Sequence, residues 1–408
     1  MTADLSETCR AELERLRGRG RHRSLTVLAH GQRGTVERGG RSLLNLSAND
    51  YLGLGADEEL LRAFLRETPE RILDERGMTA SSSRLLTGSG PAGMALEEEL
   101  AALYRGRECC VFSSGYHANL GILATLGRKG DLFLSDRLNH ASIIDGMRLS
   151  AAGLRRYRHR DYGHLEDLLR GAAGGKGQTF IVTESVFSMD GDLADLAALV
   201  RLKERFGATL IVDEAHAVGV FGDQGCGLAE AAGVLDEVDI LIGTFGKALA
   251  SVGAFAVTSP PLKEYFVNTV RPFIFTTALP PAVLSWSRHT LRRMQGMARE
   301  RGELAALGRR LRQELSALGC MSGGDSQIVP VIVGEDEAAV RLAARLQEAG
   351  YLVLPIRPPT VPPGTARVRL SLNAALRWDD LRALPEAISS GGVSCRAGAK
   401  MKAEIQIP

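Results

Sequence analysis

The segment Leu210-Ile211-Val212-Asp213-Glu214-Ala215-His216 decides the fold, because a short apolar run ends in a carboxylate. Two similar runs lie about thirty residues away on either side, which is roughly the length of one βαβ unit. They are Phe180–Thr183 and Ile240–Ile242, which lead into the polar residues Glu184 and Thr244. The stretch Asp195–Phe206 supplies the crossover helix. Apolar runs bounded by polar turns are typical of parallel strands that are covered on both faces.

Further short apolar runs extend the sheet in both directions: Cys109–Phe112, Leu132–Leu134 and Ala254–Val257. Together the runs predict a doubly wound α/β fold with a mainly parallel sheet in a large domain. Such folds bind ligands beyond the carboxyl ends of their strands. We therefore search for chemistry at the residues that follow each run.

The ends of the chain differ from this pattern. Residues 1 to about 45 are rich in arginine and predict a solvated arm or a short helix. After Leu279-Pro280-Pro281, apolar residues at helical spacing and short strand-like runs predict a small α+β domain. The predicted divisions are an arm at 1–48, a large domain at 49–280, a small C-terminal domain at 281–390 and a tail at 391–408.

Composition excludes several classes of function. The net charge of +2 provides no global field for nucleic acid or an anionic membrane. The sequence has no C-x-x-C pair, so we expect neither a metal site nor a disulfide framework. It has no apolar run of about 18 residues and no convincing targeting segment, so we expect a cytoplasmic protein without a membrane span.

Two motifs are typical of nucleotide-binding proteins, but neither is a strong signal here. Asp213-Glu214-Ala215-His216 reads like the Walker B box of a nucleotide hydrolase, but that chemistry requires an upstream G-x-x-x-x-G-K-[ST] loop. Gly174-Gly175-Lys176-Gly177 lacks both the first glycine and the hydroxyl residue. Gly88–Gly93 matches G-x-G-x-x-G, but it follows no evident strand. A nucleotide hydrolase therefore stays only a remote alternative.

A lysine and a carboxylate at strand ends favour pyridoxal phosphate. This cofactor needs a lysine amine for a Schiff base and a carboxylate beside its pyridine nitrogen. Lys247 follows a predicted strand through Gly243-Thr244-Phe245-Gly246. Asp213 ends another strand, and His216 lies three residues further on. Alone, Lys247 reads as a solvated charge and Asp213 as a cap.

Three further segments add groups that the cofactor would use. The segment from Phe112 to Asn119 leads from a strand into a helix, whose first N–H groups, near Gly115, bind phosphate readily. Thr244 offers a hydroxyl to the same phosphate. His140 is suited to stacking on the ring, although a helix cap is an alternative role. Ser188 lies just past another strand end.

Together these segments resemble the α-oxoamine synthases, a branch of the fold-type I pyridoxal-phosphate enzymes. The resemblance runs from about residue 45 to 388. It depends on these motifs: Asn49-Asp50-Tyr51-Leu52-Gly53-Leu54, Ser114-Gly115-Tyr116, Asn139-His140-Ala141-Ser142, Phe187-Ser188-Met189-Asp190-Gly191-Asp192, Asp213-Glu214-Ala215-His216 and Thr244-Phe245-Gly246-Lys247.

The resemblance implies a role for each candidate residue. Lys247 would hold the cofactor and act as acid and base, Asp213 would pair with the pyridine nitrogen, and His140 would stack and meet the substrate. The other cofactor contacts would be Gly115, Tyr116, Ser188, His216 and Thr244. The implied substrate contacts are Arg357, Thr360 and an N-terminal arginine, which by position is Arg23, with Arg21 as the alternative.

The resemblance also implies a partner and a reaction. The family works as a homodimer, so Thr276 or Thr277 would reach the neighbour's phosphate. Within the family, the segment Ile356–Arg369 favours joining L-alanine to pimeloyl-CoA or a pimeloyl carrier protein. One alternative is the condensation of glycine with acetyl-CoA by the same residues. A catalytically silent homologue that serves as a binding subunit is the other.

Overall fold

We describe the chain from a computed structural model, which covers residues 4–31, 34–74 and 77–390. The predicted tail at 391–408 lies outside the described residues. The chain divides into two compact units. The sheet unit contains Asn49–Ser188 and Asp192–Glu303, and the terminal unit contains residues up to Ala48, the short segment Met189–Gly191 and residues from Leu304 onward.

The strands are, in chain order, β1 (Ala29–His30), β2 (Thr35–Arg38), β3 (Arg41–Asn45), β4 (Glu108–Phe112), β5 (Leu132–Asp136), β6 (Gly153–Tyr157), β7 (Thr179–Glu184), β8 (Thr209–Asp213), β9 (Ile240–Thr244), β10 (Ala254–Thr258), β11 (Ile328–Gly334), β12 (Tyr351–Leu352), β13 (Pro355–Ile356) and β14 (Ala366–Ser371).

The helices are α1 (Leu5–Gly18), α2 (Glu58–Glu67), α3 (Pro69–Asp74), α4 (Pro91–Leu103), α5 (Gly115–Leu126), α6 (Ala141–Leu149), α7 (Tyr162–Ala172), α8 (Leu196–Phe206), α9 (Leu228–Ala231), α10 (Pro260–Thr269), α11 (Arg271–Phe275), α12 (Pro281–Gln295), α13 (Ala298–Ala317), α14 (Asp336–Glu348), α15 (Trp378–Leu381) and α16 (Leu384–Ser389).

The sheet unit is built on seven strands in the order β4-β10-β9-β8-β7-β5-β6. Strands β5 to β9 pair in parallel with their neighbours, whereas β10 runs antiparallel to both β9 and β4. This confirms the predicted α/β fold with a mainly parallel sheet. The predicted crossover helix is α8, which begins after Asp195 and joins β7 to β8.

Both faces of the sheet are buried, as the continuous apolar runs predicted. Alternate residues point to opposite faces of a strand. Phe180, Val182 and Ile211 pack in one core with helices α5 and α6. Their chain neighbours Ile181 and Leu210, which point the other way, are equally inaccessible to water. Each large apolar side chain buried in this way stabilises the fold by roughly 1.5–3 kcal/mol.

Helix α12 begins at Pro281, where the sequence predicted a domain boundary. Pro281 stands in the first turn, a position that needs no backbone N–H. Arg288 on α12 binds Glu99 on α4 with a distance of 2.6 Å between Nε and Oε1. Residues 281–303 therefore belong to the sheet unit, and the predicted domain boundary at 280 stays a prediction.

The N-terminal residues contain more structure than a solvated arm. Helix α1 has no buried residue, which agrees with a solvated helix. Strands β2 and β3 then form an antiparallel hairpin in the terminal unit. Gly39 and Gly40 connect them with φ angles of 58° and 75°, a backbone conformation that glycine adopts without strain.

Candidate active site

The register of the parallel strands brings the predicted polar residues to one edge. Glu184 at the end of β7 lies opposite Asp213 at the end of β8. Asp213 in turn lies opposite Ile242 of β9, two residues before Thr244. Because parallel strands share their carboxyl edge, one row of strand ends presents these three side chains.

Asp213 is a buried carboxylate that hydrogen-bond donors orient. Asp213 as a whole is only 7% exposed. Oδ1 accepts the backbone N–H of Ala215 at 2.8 Å, and Oδ2 accepts the side-chain amide of Asn119 at 2.6 Å. Hydrogen-bond donors on both oxygens fix the orientation of the carboxylate. The strand end therefore presents an oriented carboxylate.

His140 precedes helix α6 and caps it. Its Nδ1 accepts the backbone N–H of Ser142 at 3.2 Å, and its own backbone N–H donates to Oε1 of Glu184 at 2.6 Å. Partial removal from water lowers the pKa of His140, and the positive charge of Lys247 lowers it further, whereas Asp213 acts in the opposite direction. The predicted cap is thus present, and it leaves the ring near both charged residues.

Lys247 lies in a tight turn after β9. The N–H of Phe245 donates to the carbonyl of Gly253, and the N–H of Ser251 donates to the carbonyl of Phe245. The charges of Lys247 and Asp213 both act on Glu184 as well as on His140. Burial raises the pKa of Glu184 above its ordinary value. The predicted lysine and carboxylate therefore belong to one electrostatic cluster.

The predicted phosphate contacts come together through β10. Ala254, the first residue of β10, lies opposite both Phe112 and Thr244. The N-terminus of α5 at Gly115 consequently approaches β9, and a Cβ added at Gly115 would stand 4.0 Å from Cβ of Thr244. Thr244 accepts the N–H of Gly246 at 3.1 Å. A twelve-residue helix that begins beside a hydroxyl is suited to binding a phosphate.

The other predicted cofactor residues occupy the same unit. His216 is buried, and its Nδ1 lies 2.6 Å from the hydroxyl of Tyr51, which also contacts Asn49 at 3.0 Å. Ser188 is half-buried after β7. Tyr116 is 44% exposed at the first turn of α5. The phosphate contact predicted for it would therefore use its backbone N–H and not its ring.

Pyridoxal phosphate fits these residues. The site combines a lysine, a buried carboxylate with donors on both oxygens, an imidazole and a hydroxyl beside a helix N-terminus. Gly115 has no side-chain atoms that would fill the space at that helix end. This set matches the requirements of an amine, a ring-nitrogen partner, a stacking group and phosphate donors.

The fold and this site define a pyridoxal-phosphate-dependent enzyme of fold type I. The family model described as aminotransferase class I and II matches residues 41–388. An 8-amino-7-oxononanoate synthase from Chlorobaculum parvum is 57% identical over 387 residues, which cover 95% of this chain and 99% of the relative. The chain belongs to the aminotransferase class I and II family, in the branch of the 8-amino-7-oxononanoate synthases.

Solved structures agree with this family. A serine palmitoyltransferase from S. paucimobilis with a bound pyridoxal-phosphate adduct of myriocin has a TM-score of 0.87 and 31% identity, and the match covers 96% of this chain and 99% of that one. An 8-amino-7-oxononanoate synthase from Francisella tularensis has a TM-score of 0.73 and 29% identity, covering 85% and 97%. The predicted resemblance to the α-oxoamine synthases is confirmed.

The Walker-like motif has a structural role instead. Glu214 is fully buried, and its carboxylate accepts the backbone N–H groups of Leu228 at 3.0 Å and Ala229 at 2.7 Å. It also accepts the hydroxyl of Ser185. These three bonds give the carboxylate a structural role at the start of helix α9. The family match is to pyridoxal-phosphate enzymes and gives the nucleotide-hydrolase alternative no support.

The predicted substrate residues lie in the terminal unit, which we describe by itself. Arg23 donates from Nη2 to Oγ1 of Thr360 at 3.2 Å, and Arg357 donates to the carbonyl of Gly20. Arg21, Arg23, Arg357 and Thr360 line one open cleft. The two arginines between which the sequence left a choice thus lie in the same place.

Sequence reasoning missed two residues that complete the site. Asn119 and Ser142 are both buried and both contact the predicted residues through hydrogen bonds. A signal for Asn119 was present, since it is a polar residue within the apolar helical segment Asn119–Leu126. Ser142 gave no such signal, because a serine near a helix start is common.

Two further findings concern the described ranges 4–31, 34–74 and 77–390. In them, no helix is long and apolar enough to cross a membrane. Nor does this part of the chain gather three histidine, cysteine or acidic side chains in a group that could hold a metal ion.

Proposed function

We propose that the chain condenses L-alanine with a pimeloyl thioester to form 8-amino-7-oxononanoate, with loss of CO₂ and the thiol, as a step of biotin biosynthesis. The observation that carries this proposal is the 57% identity to a relative of that name over nearly the whole of both chains. The site supports it, because the residues that the reaction needs occupy one edge of the sheet.

Bound pyridoxal phosphate supplies an electron sink for negative charge that develops at the substrate Cα. Lys247 holds the cofactor covalently before substrate arrives, and its released amine then takes the Cα proton and later returns one. Asp213 would pair with the ring nitrogen and keep it protonated, and its carboxylate is oriented for this role by Asn119 and the N–H of Ala215. These two residues perform the proton chemistry.

The remaining residues orient the cofactor. His216 and Ser188 bind the oxygen side of the ring, and Tyr51 holds the His216 imidazole in place. Thr244 and the N–H groups at Gly115 and at the following Tyr116 bind the phosphate. The imidazole of His140 would cover the ring of the bound cofactor and meet the incoming substrate.

We propose that Arg23 rather than Arg21 binds the carboxylate of the acyl substrate, with Arg357 and Thr360 beside it. Arg21 is paired with Asp336, at 3.2 Å between Nε and Oδ2, and both side chains are largely shielded from water. Arg23 contacts only a neutral hydroxyl among the partners described for it. A guanidinium with a neutral partner is the better binder of a substrate carboxylate.

We further propose a homodimer. The sheet unit exposes large apolar side chains on the segments around Arg84 and Thr276, with Leu86 79% exposed and Phe275 70% exposed. Thr276 and Thr277 line a pocket there, which agrees with the predicted contact to a neighbour's phosphate. Sedimentation velocity should give a dimer, and Phe275→Asp should give monomers, because a charge would be buried without a partner.

The test combines spectra and substrate assays. The purified enzyme should show the visible absorption of a lysine-bound cofactor, and L-alanine should change that spectrum. Lys247→Ala should abolish both turnover and this absorption, whereas Lys129→Ala, at an exposed loop position, should preserve both. Turnover by Lys247→Ala would overturn the assignment of the lysine.

A panel of substrate pairs tests the specificity. Pimeloyl-CoA and a pimeloyl carrier protein should each be tried with L-alanine, against acetyl-CoA with glycine and palmitoyl-CoA with L-serine. We expect the alanine pairs to have the highest kcat/KM. A higher value for glycine with acetyl-CoA would replace the proposed reaction by the alternative, without changing the site. The Arg23→Ala variant should raise KM for the pimeloyl substrate more than Arg21→Ala does.

A further inference from the structure

A hydrogen-bond chain connects Asp213 to His140 through Asn119 and Ser142. The side-chain Nδ2 of Asn119 lies 2.6 Å from Oδ2 of Asp213 and 3.1 Å from Oγ of Ser142. Oγ of Ser142 lies 2.8 Å from Nδ1 of His140. Asn119 and Ser142 are 3% and 1% exposed, so the middle of this chain is shielded from water, whereas His140 at its end is exposed.

The direction of every bond in this chain is fixed by two groups that can only donate. A side-chain NH₂ has no acceptor, so Asn119 donates to both Asp213 and the Ser142 oxygen. The backbone N–H of Ser142 also donates, and its acceptor is Nδ1 of His140 at 3.2 Å. Nδ1 therefore carries no proton, and the Ser142 hydroxyl must donate to it. A neutral imidazole with an acceptor at Nδ1 carries its proton on Nε2.

We propose that Asn119 and Ser142 are positioning residues that hold His140 as the neutral imidazole with its proton on Nε2. Only the benefit of this arrangement rests on the proposed function: a neutral imidazole can stack on a protonated pyridine ring without charge repulsion. The carboxylate that protonates the ring nitrogen and the imidazole that covers the ring are then one connected unit.

Other charged groups around His140 do not explain this state by themselves. Asp213 and Asp145 favour the protonated imidazole, whereas Lys247 and the partial removal of the ring from water oppose it. Glu184 contacts the backbone N–H of His140 rather than its ring. The hydrogen bonds add the geometric reason: Nδ1 faces both the Ser142 N–H and the Ser142 hydroxyl, whose oxygen accepts a donor from Asn119.

An ordinary helix cap makes a different prediction. A cap needs only the Ser142 N–H and Nδ1 of His140. Asn119 lies on helix α5, and the hydrogen bonds described for its amide go to Asp213 and to the Ser142 hydroxyl. Neither of them goes to the backbone of α6. If His140 is only a cap, a change at Asn119 leaves the titration midpoint of the imidazole unchanged.

The test is ¹⁵N NMR of the full-length, cofactor-free protein with labelled histidine. Of the eight histidines, His140 is assigned from the signals lost in His140→Gln. We expect Nδ1 of the wild type to resonate as an unprotonated nitrogen and Nε2 as a protonated one. In Asn119→Ala the Ser142 hydroxyl loses the donor that polarises it, so it donates less strongly to Nδ1 and the titration midpoint of His140 should rise by roughly 0.5–1 pH unit. The neutral form should keep its proton on Nε2, because the Ser142 N–H still faces Nδ1.

Three variants separate positioning from folding. Ser142→Ala removes the hydroxyl donor to Nδ1 and should also raise the titration midpoint of His140, whereas Ser142→Thr keeps the hydroxyl and should restore the wild-type midpoint. Ser371→Ala deletes a buried hydroxyl in the terminal unit that makes no hydrogen bond and should change nothing at His140. A wild-type midpoint in both Asn119→Ala and Ser142→Ala would overturn the proposal. If Asn119→Ala does not fold, the comparison of Ser142→Ala with Ser142→Thr tests the proposal.

This result does not depend on the acyl substrate. The NMR measurement uses neither cofactor nor substrate, so a wrong assignment of the reaction leaves its outcome unchanged. Conversely, the enzyme could condense alanine with a pimeloyl thioester while the variants left the titration midpoint of His140 unchanged. That result would refute this proposal and leave the proposed function intact.

Discussion

Replacing His159 by Gln should remove a pH-dependent part of the stability. In the sheet unit, Nδ1 of His159 lies 2.9 Å from Oδ1 of Asp136, and Nε2 lies 2.7 Å from Oδ2 of Asp192. Both ring nitrogens thus face carboxylates. The ring also packs edge-on against Phe187, with 4.4 Å between centroids. The imidazolium form is therefore fully paired in the folded state.

The magnitude follows from the pKa. Burial alone would lower the pKa of His159, but the hydrogen bonds and charges of Asp136 and Asp192 outweigh burial and raise it to about 9, from an ordinary value of about 6.5. Because the folded-state pKa is the higher one, the stabilisation is complete below about pH 6.5 and is lost as the pH rises through about 9. About 2.5 pH units at 1.36 kcal/mol each correspond to roughly 3 kcal/mol.

Urea unfolding followed by circular dichroism, from about pH 6 to about pH 10, measures this difference. His159→Gln should be less stable than the wild type at the acid end, and the gap should close toward the alkaline end. Arg160→Gln is the control, since Arg160 is half-exposed at 3.3 Å from Asp192 and such pairs contribute about 1 kcal/mol or less. A gap of equal size at every pH would refute the reasoning.

Further substitutions test the packing around the site. Glu214→Ala should reduce the free energy of unfolding by about 3 kcal/mol or more, because three donors lose their acceptor; urea unfolding measures it. Tyr51→Phe should weaken cofactor binding about fivefold in an absorbance titration, since His216 loses its 2.6 Å partner. Gly243→Ala should cost about 1–3 kcal/mol in the same unfolding assay, because a Cβ would lie 2.3 Å from the ring of Phe255.

The sequence was sufficient to predict the sheet and the residues at its strand ends. Asp213 and Thr244 each follow a run of apolar residues that must be buried on both faces, so a polar residue at the end of the run stands out. Parallel pairing then places both at one edge. This reasoning uses only local pattern and the general geometry of such sheets.

The sequence was not sufficient for contacts that depend on how helices pack. Asn119 and Ser142 meet only because α5 and α6 lie side by side in the same core, and no local pattern encodes that meeting. The hairpin of β2 and β3 is a different case. The Gly39-Gly40 pair between two strand-like segments is a hairpin signal, and the arginine-rich composition around it favoured an arm instead.

Strand β10 has a consequence for biosynthesis of the chain. It is the hydrogen-bonded neighbour of both β4 and β9, although β4 precedes it by more than a hundred residues of sequence. Until residues 254–258 have left the ribosome, β4, with its Cys109-Cys110-Val111-Phe112 run, lacks the neighbour that covers its edge. Unpaired apolar strands attract other chains. We expect stalled or truncated chains that end before residue 254 to aggregate, while chains that extend beyond it remain dispersed.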